Sequence, residues 1–465
     1  MTRYMKIVTI TFILIIPFKQ TFAEVFRKNV VVIDSLTDIE LGAYPNQVTD
    51  VWGYVDETTG LEYSLVCFTD GPNGGGVSIV DINEPYPLIN DIAIIHSNHA
   101  LDVKSYSDPL TGDIYAYIAN GTEGDIMIYN ISNPYNPQIE GLITVGVDTL
   151  EQLYNAHNLF IDGDVLYVAA VDNYPDQEPY PEEIDLFIYN LKNTPQQPAF
   201  VDKWNGPDNV SYIGNRNSVH DLFVRDNRIY MACGGEGFII GDFDATYNTL
   251  GELTNWELSK NNSYQFTYRN VRDPYISPGP DFLATHSIWP SDDGNTIFVC
   301  DEYNTWHPDL ENQGSILRIF SIGDPIGYNN LNNWPPYTSL IPDAYYQVEE
   351  NQITGTIGSG NLPSNQIDPP TSIHNIMVKD NLVYIAYKTK GLRIIDASDL
   401  NQIIEVGFYD TPAESESNND SASGRGSTGI YSKLPSGNIL LSDKDGFRLI
   451  KPTFIRKGSI TAAEE

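Results

Sequence analysis

Basic residues are scarce in this chain: 26 Lys and Arg stand against 62 Asp and Glu, a formal net charge of −36. A polyanion of that size is repelled by nucleic acid and by anionic lipid headgroups, which makes both poor partners. Cysteine is nearly missing, with only Cys67, Cys233 and Cys300 in 465 residues. So small and odd a number builds no disulfide framework, and without a CxxC pair there is no zinc-finger spacing. Each thiol lies in an apolar strand-like run (LVCF, YMAC, FVCD) and is expected to be a small buried hydrophobe. GxSxG, HExxH and the phosphate-loop pattern are also missing. The Gly-rich PNGGG at 72–76 has no lysine with which to cradle phosphate and reads as a strand connector.

Long hydrophobic runs are confined to the start. Arg3 and Lys6 precede an apolar stretch from Ile7 to Phe18, and Thr21-Phe22-Ala23 follows. A basic start, a short apolar core and a small-residue exit predict a signal peptide over 1–23. The stretch is shorter than the roughly 20 residues that span a bilayer, and no transmembrane segment is expected after its removal. The expected location is secreted or at the cell surface.

What the chain has in abundance is Tyr, Phe and β-branched residues arranged in a repeat. TDVWGYVDETTGLEYSLV (49–66) aligns without a gap with LDVKSYSDPLTGDIYAYI (101–118). A shorter form recurs as HNLFIDGDVLYVAA (157–170), HDLFVRDNRIYMAC (220–233) and HNIMVKDNLVYIAY (374–387). HSIWPSDDGNTIFVC (286–300) and a degenerate YSKLPSGNILLSDKDGFRLI (431–450) complete the series. Each copy reads as a strand, an Asp/Asn/Gly turn and a second strand. A third strand opens in GGVSIVDINEPYP (75–87), GDIMIYNISNPYNP (124–137) and KGLRIIDASDL (390–400), with a fourth after it.

Four antiparallel strands per copy predict an all-β fold, a seven-bladed β-propeller with blades starting near 48, 99, 157, 220, 286, 374 and 428. The last copy has only three clear strands. The segment 29–42 (NVVVIDSLTDIELG) is expected to supply its outer strand and close the ring, with six blades as the alternative. A single propeller domain over 24–455 and a tail over 456–465 follow. Insertions at 171–183, 244–283, 325–370 and 410–427 are expected as long loops. Those that keep aromatics such as Trp256, Tyr264, Trp334 and Tyr346 are expected to fold onto one face, which in repeat architectures is often the binding surface.

The stretch TDVWGYVDETTGLEYSLVCFTD running into GVSIVDINEPYPL resembles the opening of LVIVD-repeat proteins, closest to the choice-of-anchor B group of exported bacterial proteins. GLRIIDASDL and GVSIVDINEP match the core of that repeat, and HNLFIDGDVLYVA and HDLFVRDNRIYMA match its neighbouring strand pair. The resemblance spans about residues 45–451. It implies an extracellular or cell-surface propeller and carries no shared catalytic assignment. The chain departs from the group in ending KGSITAAEE, where no sorting tail is recognisable.

Five of the seven histidines, His99, His157, His220, His286 and His374, open an inner strand at what reads as one repeat position. Gln47 occupies it in blade one, and Ser427 or Thr428 approximates it in blade seven. A ring of imidazoles around an axis suits Zn or another transition metal, with His157, His220 and His286 the most compact set. The same pattern also suits blade-to-blade hydrogen bonds multiplied by duplication. Calcium is a separate expectation, at the oxygen-rich turns Asp162-Gly163-Asp164, Asp292-Asp293-Gly294-Asn295 and Asp443-Lys444-Asp445-Gly446. Two functions stand open. One is a non-enzymatic propeller binding an extracellular protein, glycan or surface-layer component through its loop-bearing face. The other is a metal-dependent enzyme with a histidine-lined axial site.

Overall fold

In a computed structural model of the chain, the described residues are 27–83, 93–121, 125–145, 154–172, 186–204, 219–234, 237–268, 285–301, 317–322, 338–340, 343–347, 353–356, 373–388, 390–411, 426–443 and 445–454. The expected signal peptide over 1–23, the expected tail over 456–465 and most of the inserted loops lie outside them. Among the described residues there is no helix.

The described strands form seven sheets, each built on four antiparallel strands in the order expected of a blade. The innermost strands are Val48–Asp56, Ala100–Ser107, Tyr154–Asp162, Asp221–Arg225, Thr285–Pro290, Ile373–Lys379 and Ile430–Tyr431. Each touches the next, and the seventh touches the first, so the sheets make a closed ring. The six-blade alternative fails.

Burial explains the sequence pattern within a blade. Second strands such as Ile114–Asn120, Leu382–Tyr387 and Ile439–Asp443 are buried at every residue, because a neighbouring blade covers each of their faces. They therefore read as continuous apolar runs and not as an alternation. The fourth strand of blade two, Gln138–Thr144, is mostly exposed at the rim. Tight turns join the first two strands. In blades four and six they are Asp226-Asn227 and Asp380-Asn381, all four residues at φ between 54° and 61°. That is the two-residue hairpin geometry that Asn and Asp tolerate.

The ring closes as the sequence predicts. Val30–Thr37 is the outer strand of blade seven, pairing Val30 with Pro452 through Thr37 with Gly446. Just before it, Arg27 and Lys28 pair with Tyr409 and Phe408 on the outer edge of blade six. Asn29, at φ 54°, turns the chain from one blade to the next, and its side chain donates to the Val406 carbonyl at 2.7 Å. One segment thus fastens two blades. The seam between blades seven and one is joined further inward, where Ser436 donates its N–H and hydroxyl to the Glu62 carboxylate at 2.7 and 2.6 Å.

Two of the expected loops contain strand. Residues 244–268 continue blade four as a long hairpin, Phe238–Tyr247 with Leu253–Tyr268, and bury Trp256 against Phe243 at 5.2 Å between ring centroids. Within 325–370, Ala344–Gln347 is the fourth strand of blade five and Ile353–Thr356 a fifth, while Thr338–Leu340 adds parallel to the edge of blade four. The expected loops 171–183 and 410–427 lie almost wholly outside the described residues.

Candidate functional site

Strand pairing decides which residues of the inner strands are equivalent. Asp102, Asn158, Asp221, Ser287 and Asn375 lie opposite Ala119, Ala169, Ala232, Cys300 and Ala386 of their second strands. The residue just before each, in blades two, three, five and six, is the extra residue of a β-bulge. That residue is Leu101 in blade two and His157, His220, His286 and His374 in blades three to six. Thr428 and Thr49 hold the place in blades seven and one. His99 is therefore two residues out of step, as is Gln47. Each instead uses its carbonyl at the blade's opening, accepting from Gly121 N at 3.0 Å and Thr69 N at 2.9 Å respectively. The expected ring of five is a row of four.

The four are neighbours. Ring centroids of His157 and His220, His220 and His286, and His286 and His374 are each 4.2 Å apart, with planes tilted by about 50°. The Nδ1 of His220 lies 3.3 Å from the carbonyl oxygen of His286, and that of His374 lies 3.0 Å from that of Thr428. Thr428 in turn donates its hydroxyl to the Thr49 carbonyl. Side chains at the bulge thus bond the bulge carbonyl of the next blade, and Asn158 does the same to His220 O at 2.7 Å. A bulge frees that carbonyl from its own ladder, which is why it can accept. Burial lowers the basicity of His99, against hydrogen bonding to Thr69 and the charge of Asp70.

One residue deeper lies a buried polar layer. Asp50, Asp102 and Asp221 share it with Asn158, Ser287 and Asn375, and Lys104 reaches up from the next layer to pair with Asp102, with Asp50 at 4.0 Å. Asp102 also accepts from the Leu159 N–H of blade three at 2.6 Å, and Asp50 from Asn375 of blade six at 3.2 Å. Burial pushes the Asp50 carboxyl well up, and the charge of Asp102 adds to it. Burial likewise raises Asp221 to about 6, although Ser287 and the Leu222 N–H bond it. For Lys104 burial opposes the charge, but Asp102 and Asp50 prevail and hold the ammonium above its usual value.

Below this the axis is filled. Trp52, Lys104, Phe160, Phe223, Trp289, Met377 and Tyr431 stand in register. Phe160 packs on Phe223 at 5.1 Å, Phe223 on Trp289 at 4.6 Å and Trp52 on Tyr431 at 4.8 Å. The axis is therefore a plugged well with the histidines at one mouth.

Among the described residues no group of three or more His, Cys, Asp or Glu is disposed to hold a metal ion. The carboxylates of the expected calcium turns have local partners. Asp293 accepts from Ser291 and from Asn295, Asp292 accepts from the Asp380 N–H, Asp164 accepts from Tyr106, and Asp443 faces Arg448 at 3.4 Å. The three cysteines are buried thiols outside any disulfide, as expected.

A cleft of about 560 Å³ opens between blades one and two, starting at the end of the sheets that carries the histidine row, at Ser97, Asn98, Asn120 and Asp125, and running down the rim strand to Glu140. The carboxamides of Asn73, Asn98 and Asn120, with His96, Asp125 and Glu140, give it hydrogen-bonding walls. Met127, Ile139 and Leu142 give it an apolar side. No motif marks it, because its residues come from connectors and from a rim strand with no pattern of their own. The row of four, by contrast, could have been found: TDV, LDV, HNL, HDL, HSI, HNI and TGI align directly at residues 49, 101, 157, 220, 286, 374 and 428.

The LVIVD repeat model matches residues 110–144, strands two to four of blade two, and 372–411, the whole of blade six. No curated protein matches the chain. Among solved structures it is similar to the computationally designed protein Ika8, at 11% identity and a TM-score of 0.44, over 90% of this chain and 99% of that one. It is similar also to a "putative 6-phosphogluconolactonase" from Bacteroides fragilis, at 13% identity and a TM-score of 0.45, over 80% of this chain and 85% of that one. The chain is thus a seven-bladed β-propeller, closed by its N-terminal strand, with LVIVD repeats in two of its blades.

Proposed function

We propose that this is an exported binding propeller that takes a polyhydroxylated extracellular ligand, a glycan or the glycan of a surface component, on the face bearing the histidine row. The observation that carries the reading is the cleft between blades one and two. Carboxamides offer a donor and an acceptor each and match vicinal hydroxyls, carboxylates accept from them, and aliphatic side chains cover the C–H face of a sugar ring. The strand ends that bound 146–153, 173–185 and 205–218 lie at this same face. The acidic surface suits a ligand of neutral or basic character.

The test is a panel of neutral, amino and acidic oligosaccharides titrated into the folded protein and into Asn98→Ala and Glu140→Gln variants. Saturable binding weakened about tenfold or more in both variants is the expected result. No binding across the panel would overturn it, and turnover of a bound sugar would make the protein an enzyme.

A second reading, a metal-dependent enzyme, draws on a different observation. In a metal site the non-ligating nitrogen of a histidine usually donates to a carbonyl, and the Nδ1 of His220 has such a partner. His157, His220 and His286 would then present Nε2 to Zn or another transition metal. Stoichiometric metal in the purified protein, lost in His157→Ala and His220→Ala, supports this reading; metal-free protein that is merely less stable in those variants rejects it.

A further inference from the structure

The inner strands end, at the mouth away from the histidines, in another ring of side chains. Two residues beyond the axial plug stand Asp162, Arg225, Ser291, Lys379 and Lys433 of blades three to seven. Three cations meet here in a chain of net charge −36. Lys433 Nζ lies 4.7 Å from the ring centre of Trp289 and 5.7 Å from that of Phe223, so it reaches from blade seven across to blades five and four. Arg225 lies over Phe223 at 5.5 Å and donates Nη2 to the Ser291 carbonyl at 2.8 Å, which fixes the guanidinium at the mouth.

Of the acids nearby, Asp162 in the same ring acts on Arg225, and among the described residues neither lysine is paired directly. Asp226 is 3.8 Å from Arg225 Nε with its side chain 92% exposed, and Asp292 is held by the Asp380 N–H. Among the described residues neither Lys379 nor Lys433 has a carboxylate within 4 Å. Although Lys433 is an exposed residue as a whole, its ammonium is turned inward over the rings. Desolvation of that end, with repulsion from Arg225 and Lys379, pushes it down to about 8 against the pull of Asp292. Charges crowded at this cost are relieved by an anion.

We propose that this mouth binds a multivalent oxyanion, a phosphate or a polycarboxylate, between Arg225, Lys379 and Lys433. The guanidinium supplies a planar fork of donors and the two ammonium groups supply movable point charges. The aromatic plug beneath them excludes water and strengthens each contact. The site is at the opposite end of the axis from the histidine row and does not depend on the glycan reading.

Calorimetric titration of the folded full-length protein with inorganic phosphate and with citrate, at ionic strength held constant with chloride, tests it. One saturable site is expected, weakened at least tenfold in Lys379→Gln and again in Lys379→Gln/Lys433→Met, and unchanged in Asn98→Ala. Preference for phosphate over citrate, or the reverse, identifies which oxyanion the geometry fits. Absence of saturable binding to either in the wild type overturns the proposal, as does affinity unchanged in a folded double variant. The wild-type titration decides even if Lys433→Met does not fold.

Discussion

The Nδ1 of His374 lies 3.0 Å from the carbonyl oxygen of Thr428, the residue that holds the same repeat position in the next blade. This pairing of like positions, one step round the ring, is how a duplicated residue becomes an interface. Removing the imidazole takes away a partly buried hydrogen bond, so His374→Ala is expected to lose about 1 kcal/mol in urea unfolding. His220→Ala is expected to lose a similar amount or less, its distance being 3.3 Å. Because His286 stacks between the two, a His286→Ala change combined with either is expected to depart from additivity by about 0.5 kcal/mol or more.

The closing seam is sterically exacting at Gly446. Its φ is 126°, a conformation open to glycine, and a Cβ there would overlap the Leu36 carbonyl oxygen of the N-terminal strand. Gly446→Ala is expected to destabilise by about 2 kcal/mol or more and to expose residues 27–37 to protease before the rest of the ring. Leu36→Ala, at a site 3% exposed, is expected to cost about 2–4 kcal/mol by thermal or chemical unfolding.

Blade seven also carries a pH response. Asp443 is fully buried, and burial pushes its carboxyl up to about 6 despite Arg448 at 3.4 Å. The folded protein thus holds this proton more tightly than the unfolded chain does. The contribution favours folding below about pH 4 and is lost as pH rises through 6, on the order of 3 kcal/mol in all. Asp443→Asn keeps an acceptor for the Asp445 N–H and adds no charge. It is expected to be more stable than wild type at pH 8 and indistinguishable at pH 4, measured by denaturant midpoints across that range.

The long hairpin of blade four rests on Trp256, 1% exposed and packed on Phe243. Trp256→Ala is expected to cost about 3–5 kcal/mol and to open residues 244–258 to limited proteolysis, whereas a loop at this place would tolerate the change.

How far the sequence revealed this structure depended on chemistry shared between copies. The second strands were legible because burial on both faces demands unbroken apolar runs such as LVYIAY. The ring closure was legible because blade seven ran out of strands while NVVVIDSLT had none to pair with. Leu253–Tyr268 was not, since it contains SKNNSYQ, a polar run without the apolar alternation that marks a strand, and the pairing shifts register there, between Leu258 and Ser263. The histidine row was half legible. Matching on His placed His99 in the row, whereas matching on the aliphatic that follows the polar residue (Val103, Leu159, Leu222, Ile288, Ile376) places Leu101 there. The buried Lys104 and Asp102 gave no signal, because a charged pair two residues apart on a strand usually faces water.

The most direct test of the closed ring is a cross-link between its two ends. Val31 lies opposite Lys451 on the surface of the closing pair, and the three native thiols are buried and out of reach. Facing residues of antiparallel strands stand at about 4.5–5.5 Å between Cα atoms, a separation a disulfide spans. In Val31→Cys/Lys451→Cys, oxidation is expected to give an intramolecular disulfide joining the two terminal peptides and a raised unfolding midpoint, with no such bond in Val31→Cys/Arg448→Cys. Folded protein in which both introduced thiols stay free, or link only between molecules, would contradict the closure and with it the alignment of the inner strands.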